Sequence, residues 1–184
     1  MADAALTLEL SEPRPAPRAP PLTLLQGLPK GDKLELVLQK GTELGVAAFF
    51  PVVTARAVSR PKDAEAKAQR WRKIVSEAAR QCGRADVPEV AAPGPLADAV
   101  AALPKDTRLL VLDEEERALR LSDALTDAPL ALVVGPEGGL SREEVAQLKA
   151  AGGVSVTLGP RVLRTETAAL AALAVLLHRM GELG

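Results

Sequence analysis

The sequence predicts an α/β fold: a mostly parallel sheet with helices on both faces. Three observations carry this. Short apolar runs alternate with amphipathic stretches from residue 22 to the end of the chain. Two of the runs, 46–53 and 130–134, are apolar almost throughout, as strands buried on both faces are. Glycine- and proline-rich turns stand where a strand would hand over to a helix, the punctuation of βα units.

Composition narrows the class. The 184 residues suit one ordinary domain, and 47% hydrophobic with 26% charged residues is globular usage. Lys+Arg of 23 against Asp+Glu of 24 excludes a generally basic nucleic-acid coat. One cysteine and one histidine cannot make an internal disulfide or a structural zinc site, so no metal is expected. Only 2% of residues are aromatic, which leaves no platform for base stacking of the kind RNA-recognition and OB modules use. The longest apolar run, 168–177, is too short to span a bilayer, and no secretory signal opens the chain. No membrane association and a cytoplasmic location are therefore expected. A core built from Leu, Val and many Ala buries little area per side chain and benefits from a partner subunit.

In chain order, residues 5–10 alternate apolar and polar side chains as a strand does. Residues 11–21 hold five prolines and read as an extended linker. Residues 22–26 are a short apolar strand. Asp32 with Glu35 has the pattern of an N-cap and its reciprocal acid, and Gly45 stops that helix. After the strand 46–53, Pro61 and Asp63 open a long helix to Cys82. Trp71, Ile74, Val75, Ala78 and Cys82 share its apolar face, which puts Cys82 in the core. Gly83 ends it. Residues 88–91 are a weak strand, 96–103 a helix, and 108–112 and 130–134 clear strands. Ser141 and Glu144 form a capping box, Leu140 and Val145 a hydrophobic staple, and Gly152 a stop. Residues 154–158 are the last strand. The helix 165–180 is apolar on nearly all sides and must be buried, so His178 reads as a packed or interface residue.

Two loops concentrate the chemistry, each directly after an apolar strand. One is Gly135-Pro136-Glu137-Gly138-Gly139. The other is Leu158-Gly159-Pro160-Arg161-Val162-Leu163-Arg164-Thr165-Glu166-Thr167-Ala168. Ligands of open α/β sheets bind beyond the carboxyl ends of strands, where glycine lets backbone groups come close. Taken singly, the same residues also make ordinary tight turns. The fingerprints G-x-x-x-x-G-K-[ST], G-x-G-x-x-G and G-x-S-x-G are absent, which removes the usual nucleotide and hydrolase readings.

In order and context, the two loops closely resemble the paired signatures of the SPOUT class of methyltransferases. Within it they resemble the ribosomal RNA small subunit methyltransferase E family, which methylates the imino nitrogen (N3) of a uridine. Gln39-Lys40, Glu43-Leu44-Gly45-Val46, Trp71, Gln81-Cys82-Gly83-Arg84 and Gly181-Glu182-Leu183-Gly184 extend the match over residues 22–184. The resemblance implies a C-terminal trefoil knot, which periodicity alone would never suggest. It also implies S-adenosyl-L-methionine as cofactor, a homodimer joined through the knot regions, and small-subunit ribosomal RNA or the assembled small subunit as partner. Residues 22–184 would be the methyltransferase domain. Residues 1–21 would be a remnant strand and linker at the end of a PUA-like barrel, most of which the chain lacks. A second reading is a non-catalytic RNA-binding or ribosome-associated dimer that keeps the fold and cofactor pocket.

By the resemblance, the cofactor contacts fall at Leu112, Gly135, Pro136, Glu137, Gly139, Leu158, Gly159, Arg161, Leu163, Thr165 and Ala168. Leu158, Gly159 and Leu163 would make an adenine slot, and Gly135 and Gly139 would let a bent cofactor approach the backbone. A uridine imino nitrogen keeps its proton until a base removes it or a cation stabilises the anion. Glu137, Arg164 and Glu166 are the catalytic candidates, although each could equally be an ion pair stiffening its loop. Lys40, Glu43, Arg80 and Arg84 are the RNA-binding candidates. Lys73, Glu77 and Arg80 share one helical face at i, i+4 and i+7.

Overall fold

The computed structural model describes residues 21–61 and 63–184. The predicted strand 5–10 and the linker up to residue 20 lie outside the described residues. The elements are β1 (Leu22–Gly27), α1 (Lys33–Leu44), β2 (Ala48–Val53), α2 (Ala64–Cys82), β3 (Glu89–Val90), β4 (Gly94–Pro95), α3 (Leu96–Ala101) and β5 (Arg108–Leu112). A 3₁₀ turn (Leu121–Asp123), β6 (Leu130–Val134), α4 (Arg142–Ala150), β7 (Val154–Val156) and α5 (Thr165–Arg179) follow. The strands form one sheet in the order β3-β2-β1-β6-β5-β7, and every pairing is parallel. β4 joins the carboxyl end of β2, beyond the stretch that β3 covers.

Alternation along the central strands sorts the core into two layers. Leu110, Leu130, Leu132 and Val134 face one side, where they pack with Val37, Leu38, Trp71, Val75, Leu173, Leu176 and Leu177 of α1, α2 and α5. Leu109, Val111, Ala131 and Val133 face the other, against Leu96, Ala99, Val145 and Leu148 of α3 and α4. Both faces are covered, which is why β5 and β6 read as unbroken apolar runs. A parallel sheet covered by helices on both faces is the architecture that the alternating pattern predicts.

Topology prepares a site. From β5 the chain goes to β6 on one side and then to β7 on the other, so the order reverses about β5. Such reversals open a crevice at the carboxyl ends of the strands. Residues 157–164 must then cross those ends to reach α5, which packs on α1, the 3₁₀ turn and β6. The crossing is pinned at its start: Thr157 N–H donates to Leu119 O and Leu121 N–H to Thr157 O.

Several local expectations need correction. Asp32 stands at the N-cap of α1 but makes no side-chain cap, and Glu35 pairs with Arg70 of α2 at 2.8 Å instead. Tertiary charge pairing thus outcompetes the box. Ser141 and Glu144 do form theirs, and Glu144 Oε1 also accepts the Ala55 N–H at 2.7 Å. Cys82 is exposed: the buried face of α2 ends at Ala78 and Ala79, and the final residue of the helix lies beyond it. His178 is exposed as well, its Nδ1 2.9 Å from Leu183 O in the C-terminal turn. The last strand stops at Val156 because Thr157 leaves β5 for the 119–121 segment.

Candidate active site

Beyond the carboxyl ends of β5, β6 and β7 lies a cavity of 340 Å³. That falls within the roughly 300–1,000 Å³ usual for small-molecule sites. Leu112, Val134 and Val156 form its floor, and residues 113–117, 135–140 and 157–165 contribute its walls. All eleven positions that the resemblance singles out for the cofactor line this one cavity.

A buried polar junction ties the walls together. Thr165 Oγ1 donates to Gly135 O at 2.6 Å and accepts from Gln26 Nε2 at 2.9 Å. The end of β1, the loop after β6 and the first residue of α5 are thereby fixed to one another. Gln26 is 1% exposed, and its Oε1 has no hydrogen-bond partner among the described residues. No sequence signal beyond a glutamine inside an apolar strand points to it.

Gly135 also serves its own loop. A Cβ there would lie 2.8 Å from Gly139 C and 2.9 Å from Leu140 N. Its bare backbone lets the loop close tightly on itself. Gly159 does suit a ligand: its φ of +115° is a glycine conformation, and a Cβ there would meet nothing within 4 Å. Between Gly159 and α5, the amides of Arg161, Val162, Leu163 and Arg164 find no protein acceptor among the described residues. The N-cap of α5, Arg164, makes no side-chain cap either. The cavity therefore combines an apolar floor with unused backbone donors, a donor set that fits an adenine edge and a charged tail.

Charged groups gather at the mouth. Glu137 accepts from the Lys30 N–H at 3.1 Å and from Lys33 Nζ at 2.8 Å. Burial pushes its carboxyl pKa up, but Lys33 and the backbone N–H groups outweigh this and hold it below the usual carboxylate range. Glu166 reaches the same lysine at 3.7 Å, and its buried Oε2 has no hydrogen-bond donor among the described residues. Arg164 is exposed, lines the cavity and enters no ion pair among the described residues. Lys33, which gathers these acids, carries no motif that sequence reading could use.

A second network lies on the far wall. Asp113, 7% exposed, accepts from Arg142 at 2.9 Å, from Ser155 Oγ at 3.3 Å and from the Glu115 N–H at 3.1 Å. Burial raises its pKa, and these donors together draw it below the usual range. It locks β5, β7 and α4 at the cavity floor.

The RNA candidates are not brought together as one cationic face. Lys40 pairs with Glu43 and Arg80 with Glu77 along their own helices. The Arg84 guanidinium is only 8% exposed; it donates to Thr42 O and Val46 O, both at 2.9 Å, and pairs with Asp86. It thereby caps the carbonyl end of α1. Arg84→Ala removes both bonds, although Thr42 O keeps the Gly45 N–H at 3.2 Å, and should cost roughly 1–3 kcal/mol in chemical denaturation. Wild-type stability in that variant would contradict the assignment. Arg161 and Arg164 line the cavity instead, and both are exposed.

Sequence comparison gives the family. The family described as RNA methyltransferase domain matches residues 17–177. The chain belongs to that family. It is 40% identical over 166 residues to the ribosomal RNA small subunit methyltransferase E of Bacillus subtilis, covering 85% of this chain and 65% of that protein. The corresponding Mycobacterium bovis protein is 41% identical over 172 residues, covering 85% of this chain and 63% of the relative. The chain thus spans slightly less than two thirds of the length of these relatives. Among solved structures, a ribosomal RNA small subunit methyltransferase E from Neisseria gonorrhoeae bound to S-adenosyl methionine superposes with a TM-score of 0.77. It is 39% identical, and the match covers 85% of this chain and 65% of that one. An Aquifex aeolicus TrmH/SpoU tRNA modifying enzyme shares the fold at 14% identity, with a TM-score of 0.60 and coverage of 91% and 79%. Among the described residues, no helix is long and apolar enough to cross a membrane, and no cluster of His, Cys, Asp and Glu could hold a metal ion.

Proposed function

We propose that residues 22–184 are the catalytic domain of an S-adenosyl-L-methionine-dependent methyltransferase acting on uridine N3 in small-subunit ribosomal RNA. The proposed enzyme is a cytoplasmic homodimer whose knotted C-terminal regions pack together. The observation that carries this reading is the convergence of both signature loops on one cavity whose backbone donors the protein itself leaves unused. When bound, the cofactor supplies a methyl group on a sulfonium, so orientation is the protein's main task. Leu158 and Leu163 offer apolar walls for the adenine, and the amides after Gly159 its hydrogen bonds.

The target uridine presents its pairing edge only when unpaired or flipped out. As its N3 proton passes to solvent water, negative charge spreads over the flanking carbonyls, and the unpaired guanidinium of Arg164 at the cavity mouth stabilises it. Glu137 is too well satisfied by Lys30 and Lys33, and too weak a base, to take that proton; it is a positioning residue that anchors its loop to the start of α1. For the dimer, α5 leaves Leu170, Ala171, Ala174 and Val175 only half-buried within one chain. Small apolar residues of this kind let a second helix approach closely.

The test is methyl transfer to small ribosomal subunits lacking the modification, with cofactor binding measured in parallel. Arg164→Ala should lower kcat about 10²–10³-fold while leaving affinity for S-adenosyl-L-methionine near wild type, as removal of an oxyanion donor does elsewhere. An unchanged kcat would exclude the electrostatic role. Binding of ATP as tight as that of S-adenosyl-L-methionine would sink the cofactor assignment.

A further inference from the structure

The loop after β5 carries five consecutive charged residues, Asp113 to Arg117, and the structure accounts for three of the four acids. Asp113 is consumed by Arg142 and Ser155. Glu115 pairs with Arg142 at 3.2 Å. Glu116 turns back on its own loop, accepting the N–H groups of Arg117, Ala118 and Leu119. These bonds stiffen the turn without addressing the cavity.

Glu114 and Arg117 are the two that face the cavity. The Glu114 carboxylate lies over Gly139, with Oε1 3.0 Å from where a Cβ on that glycine would stand. It accepts no hydrogen bond and enters no ion pair among the described residues. Arg117 spends one terminal nitrogen, Nη1, on the carbonyls of Glu114 and Glu116. That anchors the guanidinium beside Glu114 and leaves Nε and Nη2 without an acceptor among the described residues.

A carboxylate and a guanidinium held on one loop, unpaired and facing the same cavity, are complementary to a zwitterion. We infer that Glu114 and Arg117 read the α-amino-acid end of the cofactor, Glu114 taking the ammonium and Arg117 the carboxylate. The inference rests on the cavity being the S-adenosyl-L-methionine site. Ribose hydroxyls would engage an acid alone and give the arginine no task. Charge-assisted hydrogen bonds of this type are directional and strong, so they would fix which way the tail points.

The experiment compares two neutral thioethers that share adenine and ribose. S-adenosylhomocysteine has the amino-acid end, and 5′-methylthioadenosine lacks it. Titration of the wild type, Glu114→Gln and Arg117→Gln with both, and with S-adenosyl-L-methionine, separates the outcomes. Each variant should bind S-adenosylhomocysteine and S-adenosyl-L-methionine about tenfold or more weakly and 5′-methylthioadenosine as the wild type does. Equal losses for both thioethers would assign Glu114 to the ribose and overturn the inference. Loss for S-adenosyl-L-methionine but not S-adenosylhomocysteine would point to the sulfonium and also overturn it, as would no loss at all. If the wild type binds none of the three, the cavity reading itself fails. Both side chains are exposed, so thermal melts should match the wild type and exclude misfolding as the cause.

Discussion

Leu173→Asp should abolish the folded chain, whereas Ala171→Asp should leave it folded but monomeric. Both residues lie on α5, two positions apart. Leu173 is 0% exposed and packs in the cluster that joins α1, α2, β6 and α5. A carboxylate there loses the leucine's packing, worth roughly 2–5 kcal/mol, and gains no buried partner. Together these approach the whole stability of a typical domain, about 5–15 kcal/mol. Ala171 is half-buried in one chain, and a carboxylate there can still reach water. Its cost arises only if another helix covers it. Thermal melting and sedimentation separate the two. A cooperative wild-type melt for Leu173→Asp would refute the assignment of that residue to the chain's own core. A stable dimer of Ala171→Asp would move the proposed interface off this face.

That contrast shows what an apolar helix does and does not reveal in sequence. The all-round apolarity of 165–180 announced burial, but the division between the chain's own core and a second subunit depends on where α1 and β6 arrive. Strands 108–112 and 130–134 were legible to the residue because both faces are covered and turn residues flank them. β4 was not, since Gly94-Pro95 carries no strand signal and owes its pairing to the end of β2. The cavity was legible through its glycine- and proline-rich loops. Its supports were not. Gln26, Lys33, Asp113 and Arg142 come from four separate segments, and their meaning lies in partners up to 139 residues away. Arg84 is a similar case: the sequence shows a basic residue beside a glycine, and nothing in it says that α1 ends beneath the guanidinium. Periodicity reports which way a side chain faces, not what waits there.

Valine at Gly135 and valine at Gly159 should both abolish cofactor binding, but only the first should destabilise the fold. At Gly135 the new side chain meets backbone on the returning strand of its own loop, 2.8 Å from Gly139 C and 2.9 Å from Leu140 N. Backbone cannot swing aside as a flexible side-chain tip can. Relief would have to push Leu140 out of its place among Leu25, Val145 and Leu148, and would break the Thr165 bond to Gly135 O. Overpacking of this sort costs roughly 1–3 kcal/mol or more, so the thermal midpoint should fall along with the affinity. At Gly159 nothing stands within 4 Å, and the penalty is conformational: a β-branched residue held at a φ of +115°. The loop can escape that strain by changing shape, because it is a surface crossing fixed only at its ends. The sheet keeps its melt, while residues 161–164 leave the positions in which they line the cavity. Calorimetric titration with S-adenosyl-L-methionine and thermal denaturation on the same two proteins give the comparison. Undiminished affinity in a folded Gly159→Val protein would detach this loop from the cofactor site. A wild-type melt for Gly135→Val would mean that the loop closes without the tight contact that its glycine permits.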